Sequence, residues 1–247
     1  MPWSPETSKN IQKAIQQPKP DFTQTFPADS FDAVEIDASI AGNIAIVGDA
    51  AGEARVQGTG YRGNRHLMPT QIEVVDRTLK ITARNFLAYL VGFQWGRLEL
   101  LVQIPPHARV RVRLGAGVVL LHGGGGDVHI RGLVGTVEGK TEARRINVQL
   151  GVGEIQLADA NAEALLRVGW GAIELLYRRF TGAERIDARC GFGALDIRLP
   201  PSALARPNDM AGFFRSVSLP TPEGGLIKAV LGFGGLDLKR EPEPEPS

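Results

Sequence analysis

The chain has 247 residues, 43% hydrophobic and 22% charged, a size and balance that permit one sizeable core and exclude a wholly disordered chain. Its 28 basic and 27 acidic residues leave a formal net charge of +1, so no global field draws it onto nucleic acid or an anionic membrane. The lone cysteine, Cys190, excludes an internal disulfide and a cysteine-based zinc cluster, and 30 glycines against 6% aromatics point to tight corners around an aliphatic core.

The first residues, MPWSPETSKNIQKAIQQPKP, are rich in Pro, Gln and Ser and carry no strand pattern. A tail at 1–30 is expected, with Ile11, Ala14 and Ile15 on one face of a short helix. The chain does not open with a basic segment followed by an apolar stretch, and it contains no run of about 18 apolar residues. The expectation is a cytoplasmic protein with no membrane span and no nucleic-acid partner.

From Phe31 onward, apolar residues alternate with others in short runs: FDAVEIDA, GNIAIVG, QIEVV, LKITA, RLELLVQI and ARVRVRL. Period two puts Val34 and Ile36 on one face and Glu35 and Asp37 on the other, as a half-buried strand requires.

The informative pattern begins at Gly117. Blocks of nine read GVVLLHGGG, GDVHIRGLV, GTVEGKTEA, RRINVQLGV and GEIQLADAN, and further copies start at Gly171, Gly193 and Gly234. Third and fifth positions are usually aliphatic, in pairs such as Val128 and Ile130, Ile146 and Val148, Ile155 and Leu157, Ile173 and Leu175, and Leu195 and Ile197. The strongest similarity recurs every two blocks, from Gly117 to Gly135, Gly153 and Gly171, then after longer gaps to Gly193 and Gly234. With Gly-x-Gly corners (GAG, GVG, GWG, GFG, GFG), this pattern predicts an all-β solenoid whose turns each make two short strands and two bends. One domain is expected over 31–240, with a long loop inserted at 200–225 and a Pro/Glu tail at 241–247.

Two fragments mimic catalytic loops, and the repeat explains both. His122 to Gly126 looks like the oxyanion-hole stretch of lipases, but it falls in a bend and no Gly-x-Ser-x-Gly elbow exists in the chain. Gly139-Lys140-Thr141 ends like a phosphate loop, yet the first glycine is misplaced and a turn and strand, not a helix, follow.

The histidines His66, His107, His122 and His129 lack metal-ligand spacing, although His122 and His129 in successive blocks could approach each other. The outward acidic set Glu138, Glu174, Asp196 and Asp237 could serve acid and base catalysis or calcium, but a solvated ladder is the expected reading. Arg109, Arg111 and Arg113, with the pairs Arg144–Arg145 and Arg178–Arg179, could grip an anionic sugar, lipid headgroup or phosphate; a wet face balanced by carboxylates is expected instead. Trp95, Trp170, Phe192 and Phe233, each beside a glycine, are expected to plug the edge of the core. No catalytic, cofactor-binding or metal-binding residue is assigned.

The run of strands FDAVEIDASIAGNIAIVG, LELLVQIPPHARVRVRLGAGVVLLHG, GDVHIRG, GTVEG, GVGEIQL and GALDIRLP resembles the bacterial β-strand-repeat proteins known as "putative adhesins" or toastrack domains. The resemblance covers roughly 30–240. It implies a right-handed β-helix-like fold without known catalytic residues, in a family found beside membrane-stress and cell-envelope regulators. The function expected is a non-enzymatic scaffold for protein interaction or assembly, with an unidentified protein partner or self-association. The competing expectations are a bactofilin-like polymerising element and, behind it, a carbohydrate-active β-helix enzyme using the acidic ladder.

Overall fold

A computed structural model describes residues 20–48, 52–60, 71–83, 98–124, 126–158, 163–177, 183–200, 208–221 and 225–240. In chain order these form β1 (Phe22–Pro27), a 3-10 turn (Ala28–Ser30), β2 (Ala33–Gly48), β3 (Glu53–Gly60), β4 (Gln71–Val75), β5 (Thr78–Thr82), β6 (Leu98–Ile104) and β7 (Arg109–Gly123). There follow β8 (Asp127–Lys140), β9 (Arg145–Ala158), β10 (Glu163–Leu176), β11 (Arg185–Leu199), β12 (Asn208–Pro220) and β13 (Leu226–Arg240). All belong to one continuous hydrogen-bonded sheet system, an all-β solenoid.

The solenoid body is the parallel series β2, β7, β8, β9, β10, β11 and β13. Each long strand is one coil, bent in its middle by the corner glycine. Before the bend, alternate residues point inward, as Ile146, Val148 and Leu150 do in β9; after it, Ile155 and Leu157 do. Register carries Val128 onto Ile146, Ala164, Ile186 and Ile227, so the spacing read from the glycines is the spacing of the coils. The aliphatic pairs thus stack coil on coil, interrupted at Gly139 between Leu121 and Leu157, and each fully buried Ile or Leu contributes roughly 1.5–3 kcal/mol. A single coil could not bury these faces alone.

Glycine at the bend is a steric requirement. Gly153 has φ +142°, and a Cβ there would lie 1.7 Å from the carbonyl oxygen of Gly135 in the coil beneath. Only a residue without a side chain lets successive backbones nest at this radius.

Both ends of the parallel stack are closed by other pairings. Beyond β2, its first half pairs with β5 and its second with β6; β6 is antiparallel to β3, which is antiparallel to β1. The β4–β5 hairpin turns on Asp76 and Arg77, both at positive φ (49° and 55°), a turn whose twist suits the flanking strands. Arg77 donates two hydrogen bonds of 2.7 and 2.8 Å to Asp32, which hold that carboxyl below its ordinary range. At the other end β12 lies antiparallel on β13.

Three expectations need correction. Residues 22–27 are not tail but strand β1, paired along its length with β3. The segment expected as a loop at 200–225 contains β12, whose backbone covers the last coil's edge. Each turn of the solenoid is one bent strand rather than two separate ones, because the glycine corner keeps hydrogen-bonded register across the bend. The expected helix face at Ile11, Ala14 and Ile15 and the tail at 241–247 lie outside the described residues, among which no helix is long and apolar enough to cross a membrane.

Candidate functional site

At the corner of each coil, the residue before the positive-φ glycine is swung outward. Register aligns these residues in one column: Ala116, Val134, Val152, Trp170, Phe192 and Phe233. They are solvent-facing, with Trp170 65% and Phe192 52% exposed, and Leu133 beside Val134 is 72% exposed. Ring centroids of Trp170 and Phe192 lie 5.5 Å apart at 31°, and those of Phe192 and Phe233 6.3 Å apart at 51°. Such tilted contacts line the rings up along the corner. The result is an apolar ridge.

This overturns the expectation that Trp170, Phe192 and Phe233 plug the core. The coil interior is already filled by residues on either side of the bend, such as Val168 and Ile173 around Trp170, and the corner breaks the period-two alternation that would have turned the ring inward. That break was the available signal, since Trp170 sits between two glycines. Trp95 lies outside the described residues.

Along one side of the ridge runs a basic row. Arg113 stands beside Arg131, which neighbours Gln149, then Arg167 and Arg189. One step further from the corner, Arg111 neighbours His129. The expected balance by carboxylates holds for Arg145 with Glu163 and for Arg189 with Asp187, both at 2.8 Å. Arg111, Arg113, Arg131 and Arg167 take part in none of the ion pairs found among the described residues. Partial burial, then Arg131, Arg111 and Arg113, hold the His129 imidazole below its ordinary pKa. Arg178 and Arg179 lie outside the described residues.

The acidic set behaves differently. Glu138, Gln156, Glu174, Asp196 and Asp237 do register into one row on the half-coil beyond the corner. Three of its four carboxylates are answered locally: Arg198 lies 2.7 Å from Asp196 and 3.1 Å from Glu174, and Lys239 pairs with Asp237, while Gln156 donates to the neighbouring Glu154 at 2.7 Å.

His122 and His129 do not come together, because His129 neighbours Arg111 on one half-coil whereas His122 neighbours Lys140 on the other. No group of three side chains able to hold a metal occurs among the described residues. In the GKT fragment, the Thr141 hydroxyl donates to the Gly124 carbonyl at 3.3 Å and accepts from the Ala143 amide at 3.2 Å, fastening the bend. Behind the HGGG bend a cavity of ≈ 20 Å³, lined by Ile46, Gly48, Leu121 and Thr141 among others, has room for about one water. Cys190 is buried, and desolvation pushes its thiol pKa up, the opposite of what a nucleophile needs.

No family model matches the chain, and no curated protein does. Among solved structures it is similar to one from Clostridium sporogenes named a "putative cell adhesion protein", at 14% identity and a TM-score of 0.50, covering 90% of this chain and 100% of that one. At that identity the likeness speaks for the fold alone.

Proposed function

We propose that the protein is a non-enzymatic β-solenoid scaffold whose corner ridge is its contact surface. One observation carries the reading: Val134, Val152, Trp170, Phe192 and Phe233, with Leu133 beside Val134, form a continuous exposed apolar file on a rigid frame. Soluble domains scatter single exposed apolar residues, but a contiguous file of them marks an interaction site. An adhesion-type or assembly role, in a cytoplasmic setting linked to the cell envelope, belongs to the same proposal and agrees in kind with the name of the Clostridium protein. Against polymerisation by end-to-end coil stacking stands the antiparallel β12, which occupies the edge of β13 that a further parallel coil would need. Against glycoside hydrolysis stand Arg198 and Lys239, which pair with Glu174, Asp196 and Asp237 of the acidic row.

The test is a triple substitution, Trp170→Ser, Phe192→Ser and Phe233→Ser, followed by thermal melting and binding of a hydrophobic dye. A contact surface predicts a loss of stability below about 1.5 kcal/mol together with loss of dye binding. Destabilisation on the scale of core truncation, about 3–5 kcal/mol, would show the rings to be structural and remove the reading.

A further inference from the structure

We propose that the ridge and the arginine row together dock the solenoid on a lipid surface bearing anionic headgroups. This rests on the reading of the ridge as a contact surface and names what it contacts.

The shape of the apolar column comes first. It lies on the outside of a bend, so it is convex, and from Val134 to Phe233 it runs four coil steps, about 19 Å at the spacing of hydrogen-bonded strands. Its rings pack along the column against one another, which leaves no separate flat platforms for sugar rings. A convex edge is covered poorly by another rigid surface. A headgroup layer deforms around it, and Trp and Phe favour that boundary.

Charge points the same way. Between the basic row and the ridge lie the inward-facing Leu150, Val168 and Cys190 and then a stacked column of Leu133, Gly151, Gly169 and Gly191, where all but the first lack a side chain. At Gly169 even a Cβ would meet the Gly151 carbonyl oxygen at 2.6 Å. Guanidinium groups and apolar tips therefore border one bare strip and can meet a single surface together. Arg113 and Arg131 are directly adjacent like charges, an arrangement that costs stability unless something external offsets it. Glu35 flanks Arg111 on β2, yet the two form no ion pair among the described residues. Beyond the ridge, Arg198 and Lys239 pair with Glu174, Asp196 and Asp237, so the positive charge left outside these ion pairs lies on the arginine side of the ridge. A net charge of +1 conceals this asymmetry. Guanidinium groups bind phosphate oxygens bidentately, which fits lipid headgroups.

The experiment uses the full chain with Trp3→Phe and Trp95→Phe, so that emission reports Trp170, and compares vesicles of phosphatidylcholine with vesicles containing phosphatidylglycerol. Expected are flotation with the anionic vesicles only, a blue shift of Trp170 emission on binding, and weakening with added salt. The variant Arg111→Gln, Arg113→Gln, Arg131→Gln, checked by melting to be folded, should bind the anionic vesicles roughly a hundredfold more weakly. Equal binding to both vesicles, or unchanged binding by the arginine variant, overturns the proposal. So does absence of vesicle binding alongside self-association that the Trp170, Phe192 and Phe233 substitutions abolish; that result would keep the ridge as a contact surface and make a second copy its occupant. If those substitutions unfold the protein, the contact-surface reading falls as well.

Discussion

Gly153 and Gly235 separate two meanings of the same residue. Alanine at 153 would be strained by φ +142° and would meet a backbone oxygen at 1.7 Å, whereas at 235 nothing lies within 4 Å of an added Cβ. Gly153→Ala should therefore cost at least about 3 kcal/mol, and Gly235→Ala should be neutral or stabilise by up to about 1 kcal/mol. Denaturant unfolding of the two variants checks this, and equal losses would contradict it. His129 offers a second residue-scale prediction. Burial and three arginines lower its folded pKa, so as pH falls the unfolded chain takes up the proton first. Stability is fully present above the unfolded value of about 6.5 and declines as pH drops through the folded one. Arg131→Gln should raise the His129 pKa in an NMR titration; an unmoved value would mean that the guanidinium is not beside it.

At the scale of the element, the aliphatic pairs and the corner ridge should respond oppositely to truncation. Ile155 is fully buried, and Ile155→Ala should cost about 2–5 kcal/mol, whereas Trp170→Ala should cost less than about 1 kcal/mol despite removing a larger side chain. Thermal melts of the two single variants decide it. The coils were legible in the sequence because each inward pair repeats at a fixed offset from a glycine, and that offset is the coil itself. Strands β12 and β1 were not. Neither belongs to the repeat, and an antiparallel cap strand owes its place to the edge it covers, so NDMAGFFRSVSLP carries one glycine but no Gly-x-Gly corner to announce it. The ridge was half legible: GWG and GFG located it, but which way a ring turns at a corner depends on backbone dihedrals that alternation does not encode. The acidic row was found as a set, and its ion pairing was hidden because Arg198 and Lys239 sit two positions further along the strand from Asp196 and Asp237.

For the molecule as a whole, a stack of matched coils converts a local repeat into long straight columns, and each column inherits one chemical character. Aliphatic columns make the core, one glycine column lets coils nest, and the ridge and the arginine row run side by side over the same coils. A near-neutral protein can by this means carry a directional surface, since charge is sorted by row rather than by domain. Capping by β12 and by the β1, β3 and β6 strands makes the bar finite. The measurement that bears most directly on this account is the distance between spin labels attached at Val134→Cys and Phe233→Cys in a Cys190→Ala background. Stacked coils predict a distribution centred near about 19 Å from four coil steps; a mean twice as long, or one spread without a maximum, would contradict the solenoid and the ridge with it.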